Sequence, residues 1–346
     1  MTLSAEHPTG HLPTCPTDHP SDHPTECPTE SPTECQHDHD CGHDHDHDHG
    51  PLAELVTLRD WLRHAVTSFN RHGIFCGHGV DNSFDEAVWL ILGSLSLPLD
   101  RLDVFLDACI PGEERAAIFE LIERRSNERI PTAYLLGEAW LGGYRFQIDE
   151  RVIVPRSYFA AALADELEGW LPPASSIGRA LDLCTGSGCL AILMAEAFPA
   201  ARIDAVDLSV DALDVALQNV TDYGLQDRVR LLESDLFAAL GGERYDFILS
   251  NPPYVTTAAM DVLPAEYLHE PRMALAAGDD GLDLVRRILA DAADHLNPHG
   301  LLAIEVGHNR ALVDAAFPEL PLHWLQAEDG VDAIFVLRRE DLPASS

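Results

Sequence analysis

The stretch ILSNPPYV, residues 248–255, runs from an apolar strand pattern directly into Asn251-Pro252-Pro253-Tyr254. Two adjacent prolines cannot donate to a sheet ladder, and each drives its predecessor towards an extended backbone. A strand must therefore stop here. Its end becomes a stiff platform that offers a carboxamide, carbonyl oxygens and an aromatic ring, a set suited to gripping a planar polar group. Upstream, DLCTGSGCLA at 182–191 sets Gly186 and Gly188 between a strand pattern and a helix pattern, where glycines let the backbone turn tightly and lie against a ligand. About twenty residues on, Asp207 ends the next strand pattern, the place for an acid that binds two ribose hydroxyls; the alternative is a cap for the helix that follows. Asp235, in ESDLF, follows a third strand pattern and is either an adenine-edge contact or an ordinary turn acid.

These positions need a particular scaffold. From about residue 157 onward strand and helix patterns alternate, which predicts an open α/β sheet with mostly parallel strands. The four chemistry-bearing positions then fall at the C-terminal ends of consecutive strands, where such sheets bind ligands. LHWLQAED and DAIFVLRR, separated by only Gly330 and Val331, must pair antiparallel. Before this domain, Leu58, Leu62, Ala65 and Phe69 repeat at helical spacing, Asn82 or Ser83 is placed to cap a second helix, and two more helices are expected up to Asn127. Gly142-Gly143 between two short apolar-aromatic runs predicts a hairpin. The expected organisation is a disordered tail at 1–50, a helical domain at 51–130, a hairpin linker at 131–156 and a catalytic domain at 157–346.

Composition excludes several chemistries. Of 346 residues, the 22 basic ones are all arginine, against 58 acidic ones, for a formal charge of −36. Without lysine there is no Walker-type phosphate lysine, no Schiff base and no lysine general base. A phosphate backbone would be repelled, so direct nucleic-acid binding is not expected, whereas a basic protein partner suits the charge. No run is apolar enough to cross a bilayer, no secretory signal is expected at the start, and eight cysteines without disulfide-like spacing read as reduced thiols of a cytoplasmic protein. The tail, ending CGHDHDHDHG with Cys35 and Cys41 nearby, offers adventitious metal affinity but no rigid ligand set, so no metal site is expected.

Taken together, the motifs resemble the S-adenosylmethionine-dependent methyltransferases with a Rossmann-like, seven-stranded sheet and a terminal antiparallel strand. NPPY after the fourth strand is similar to the subset that methylates nitrogen on a planar system. The helical head, the bridge and VIVPRS at 152–157 resemble the protein glutamine N5-methyltransferases (the HemK/PrmC/PrmB family). PRS, with GIFCGHGVDNSFDEA at 73–87, resembles its PrmB-type branch, whose substrate is the third protein of the large ribosomal subunit. Sister enzymes act on peptide chain release factors, and a nucleic-acid amino-methyltransferase shares the same site logic. A nicotinamide-dependent oxidoreductase also fits the glycine turn, but leaves NPPY and the last strand pair unexplained. The resemblance covers residues 55–340 and departs after PRS, where Tyr158-Phe159-Ala160-Ala161 replaces the usual Pro-hydrophobic-Ala-Glu. It implies S-adenosylmethionine as cofactor, held by Cys184, Thr185, Gly186, Ser187, Gly188, Asp207, Asp235, Leu236 and Asn251. It implies a substrate amide whose two N–H groups donate to the Asn251 side-chain oxygen and the Pro252 carbonyl, with Pro253 stiffening the platform and Tyr254 packed on the amide plane. Arg156 either contacts the substrate protein or pairs with an interdomain acid.

Overall fold

In the computed structural model, residues 54–167, 169–326 and 330–343 are described. The His/Asp-rich segment of 1–50, and the metal affinity expected of it, lie outside these residues. The described residues fall in one compact unit, so the helical head, the bridge and the sheet are packed together.

The head is built on two capped helices. Helix α1, Leu58–His72, starts in a capping box: Thr57 accepts from the Asp60 amide and Asp60 accepts from the Thr57 amide. It ends at Gly73 in the left-handed conformation, φ 59°. Its buried face, including Leu58, Leu62, Ala65 and Phe69, packs against α2, Ser83–Ser94, whose N-cap is Asn82. Of the two further helices expected, one is a single turn at Leu102–Phe105, and the other is α3, Gly112–Glu123. Pro98 and Pro111 punctuate this stretch because neither can continue a preceding helix. The chain then widens into one π turn at Arg124–Glu128, which turns Arg125 fully inward.

Strands β1, Glu138–Leu141, and β2, Tyr144–Gln147, form the bridge hairpin. Gly142 and Gly143 both have positive φ, 58° and 82°, which a two-residue turn of this hand requires. The main sheet contains β3 (Arg179–Leu183), β4 (Arg202–Asp207), β5 (Val229–Glu233), β6 (Tyr245–Ser250), β7 (Leu296–Glu305), β8 (His323–Trp324) and β9 (Ile334–Arg338). Their spatial order is β5-β4-β3-β6-β7-β9-β8, and β9 runs antiparallel to both of its neighbours. The order reverses between β3 and β6, so the crevice above their C-terminal ends is the expected ligand position. Helices α4 (Cys189–Ala197), α5 (Val210–Asp222) and α6 (Asp283–His295) cover the sheet with apolar faces. No helix among the described residues is long and apolar enough to cross a membrane.

Candidate active site

The glycine turn after β3 does two different jobs. Gly186, φ 55°, has no neighbour near the position of a β-carbon, so its backbone faces open space. At Gly188, φ 78°, an added Cβ would stand 3.1 Å from the Ala216 Cβ, so this glycine lets α5 pack close beneath the turn. Asp207, the last residue of β4, ties the turn in place: its carboxylate accepts from the Gly186 and Ser209 amides, each at 2.9 Å. It is not the helix cap, because the Ser209 hydroxyl caps α5 by accepting from the Ala212 amide. Burial raises the Asp207 carboxyl, opposed by those amide bonds.

The cleft above β4, β3 and β6 gathers Cys184, Gly186, Asp207, Asp235, Leu236, Asn251 and Pro253. Cys184 and Leu236 hold positive φ, 62° and 51°, an uncommon conformation for side chains of this size that collects at ligand clamps. Asp235 pairs with Arg287 of α6 at 2.8 Å. Asn251 is half-buried, and among the described residues nothing hydrogen-bonds its carboxamide. Thr185, Ser187, Gly188, Pro252 and Tyr254 are not among the residues that line this cleft. Thr185 donates to Asp182 at 2.5 Å, and the Ser187 carbonyl accepts from Asn219. The Tyr254 ring fits a notch that only glycine leaves: an added Cβ at Gly307 would lie 2.7 Å from it. The Tyr254 carbonyl accepts from Asn309 Nδ2 at 2.6 Å, and burial pushes its phenol up to about 12, so it is neutral at ordinary pH.

Several residues of the site were not singled out as site residues in the sequence. Arg151, Val152 and Ile153, where the bridge ends, and Pro271, Met273 and Ala274, after NPPY, complete the cleft wall. The segment 255–281 acts as a strap between NPPY and the head. Glu270 on it accepts both Nη groups of Arg156, at 2.5 and 2.7 Å, and the Val154 amide. Arg156 thus pairs with an acid of the strap, and it is not among the residues that line the cleft. Glu266 accepts from the Phe75 amide and from Arg125, which also binds Glu86 and the Phe75 carbonyl while fully buried. Two more acids are buried at strand ends. Asp182 in β3 leaves Oδ1 without a partner, and Glu305 ends β7 accepting from the Ser157 hydroxyl and the Tyr158 amide. Burial pushes each to about 7. Their signal in the sequence is a carboxylate inside an otherwise apolar strand pattern.

The cleft fits an adenosyl group. It offers an acid able to accept from vicinal hydroxyls, an open glycine backbone, and apolar walls from Val206, Leu208, Ala212 and Leu284. Fold and cleft together define an S-adenosylmethionine-dependent methyltransferase, and the methyltransferase small domain family matches residues 166–278. The ribosomal protein uL3 glutamine methyltransferase of Neisseria meningitidis is 54% identical over 84% of this chain and 95% of that protein. The one from Bordetella pertussis is 54% identical over 84% of this chain and 97% of its own length. A methyltransferase structure from Pyrococcus furiosus superposes with a TM-score of 0.42 at 16% identity, over 66% of this chain and 99% of that one. The chain belongs to the ribosomal protein uL3 glutamine methyltransferase family.

Proposed function

We propose that this enzyme transfers the methyl group of S-adenosylmethionine to the side-chain amide nitrogen, N5, of a glutamine in ribosomal protein uL3. The observation that carries this reading is the unengaged Asn251 carboxamide at the end of β6, on the wall of the cleft. The family name carried by the relatives supports the substrate.

The cofactor supplies an electrophilic methyl on a sulfonium; the rest falls to this chain. An amide nitrogen is a weak nucleophile because its lone pair is delocalised into the carbonyl. The Asn251 oxygen accepts one substrate N–H and the Pro252 carbonyl accepts the other, which draws electron density onto the nitrogen and fixes its direction of attack. Pro252 and Pro253 hold these acceptors in place before substrate arrives, because neither backbone can swing away. Tyr254, seated in its glycine notch, packs towards the amide plane. Gly186, with Cys184 and Leu236, shapes the cofactor side, and Asp207 accepts from the ribose hydroxyls. Asp235 closes the adenine end, with Arg287 fixing its carboxylate. Thr185, Ser187 and Gly188 hold the turn from beneath. The helical head acts as the substrate-recognition domain, and the work is done in the cytoplasm, where ribosomal proteins are made.

The deciding measurement incubates the purified enzyme with methyl-labelled S-adenosylmethionine and unmethylated uL3, followed by mapping of the label. Label on a uL3 glutamine is expected. Label on a release factor alone would move the enzyme to the sister branch.

A further inference from the structure

A second cavity, of about 270 Å³, lies between the head and the bridge hairpin. It shares a wall with the cofactor cleft. Along one continuous segment, Arg151, Val152 and Ile153 line the cleft, while Val154 and Pro155 line the cavity. Most of the lining is apolar, with Val80 and Val88 from the head and Ala139 from β1. One polar side chain in it is left unmet, and a second has only an ion-pair contact. Trp89 is 7% exposed, and its indole N–H has no acceptor. His78 is 2% exposed, and neither ring nitrogen makes a hydrogen bond; Nε2 stands 3.7 Å from Glu270 Oε1. Buried groups without partners are rare in folded proteins and costly to leave so, and an indole N–H can only donate.

The mouth of this cavity is equally unusual. Trp140 and Leu99 are 45% and 37% exposed, and this apolar ledge continues into a neighbouring depression beside Asp100 and Glu138. The rim charge is acidic, from Asp85 and Asp100; its Arg145 is paired with Glu138 at 3.0 Å. An exposed tryptophan beside an apolar pocket, ringed by acids, matches a partner segment with an apolar anchor and flanking cations. A protein that packs against RNA carries such cations, because it must neutralise phosphates.

We propose that this groove is a second substrate subsite. It takes a segment of the methyl-accepting protein away from the target glutamine, with an apolar side chain against Trp140, a backbone carbonyl of the segment accepting from the Trp89 indole, and Arg or Lys over Asp85 and Asp100. The proposal rests on the uL3 reading above and adds where, and by what chemistry, the protein is held. The groove contributes binding that is the same in ground and transition state, so its loss raises KM and leaves kcat alone.

The test measures kcat and KM of the full chain for intact uL3, with cofactor Kd by calorimetry, in wild type, Trp140→Ala and Asp100→Lys. Both positions are exposed, so folding is not at stake. Trp140→Ala should raise KM about tenfold, the scale of a modest anchor residue. Asp100→Lys should raise it about threefold, with a weaker dependence of KM on salt. In both, kcat and cofactor Kd stay within about twofold of wild type. Wild-type KM in both variants, with an active wild-type enzyme, overturns the groove and leaves the uL3 reading intact. A wild-type enzyme that places no label on uL3 overturns both.

Discussion

Two sets of buried carboxylates titrate in opposite directions. At the ends of the sheet strands, Asp182 and Glu305 are pushed up to about 7 by burial, because their partners are hydroxyls and amides that carry no charge. Under the head, burial also works against Glu266 and Glu270. There, bonds from the Phe75 amide and Arg125 for Glu266, and contacts with His78 and Arg156 for Glu270, outweigh it, and Glu270 falls to about 2. The difference separates two kinds of construction. The sheet ends are held by neutral hydrogen bonds close to the reacting groups. The strap is held by permanent ion pairs that join segments remote in sequence.

The sharpest way to break the comparison is at the strap. Glu270→Gln leaves the Arg156 charge without its buried partner, and unfolding in urea should show a loss of about 3 kcal/mol, the usual cost of removing one member of a buried pair. A loss near zero would mean the pair only decorates the junction. At the sheet end, Asn251→Ala should lower kcat about a hundredfold with cofactor Kd nearly unchanged, as expected when one preorganised polar group is removed from a reacting centre. Full turnover in that variant would remove the amide clamp from the mechanism. Asp207→Ala should weaken cofactor binding by about 1–3 kcal/mol, the scale of lost hydrogen bonds to a charged group, and calorimetry reads this directly.

The smallest effect is the pH profile of stability, where the two regions should separate. Asp182 and Glu305 have folded pKa values raised above their unfolded ones, so the folded state binds more protons between about pH 4 and pH 7. Stability therefore declines as pH rises through that window and levels off above it. Asp182→Asn should flatten part of this slope in melts taken across the range. Glu270 is depressed, so its contribution is complete above an unfolded value of about 4.3 and is lost as pH falls towards 2. A slope between pH 4 and 7 that is the same in Asp182→Asn as in wild type would mean that Asp182 is ionised throughout.

Much of the cleft could be read from the chain because its parts are local. Pro252-Pro253 ends β6, Gly186 and Gly188 make the β3 turn, and Asp207 closes β4, each within a few residues of the strand it terminates. The split of labour between the two glycines could not be read, since it depends on Ala216 arriving from α5. Arg156 was legible as a charge near a junction but not by its partner, which lies 114 residues away.

The sequence by itself determined the alternation of strands and helices, the hairpin at Gly142-Gly143 and the stop at NPPY, because backbone propensity, periodicity and proline sterics act over a few residues. Only the tertiary structure decided which acids burial raises and which pair with arginines, that the strap completes the cleft wall, and that a cavity opens under Trp140. Those outcomes depend on which distant segments come to share one low-dielectric interior, and a linear pattern does not state that before the chain has packed.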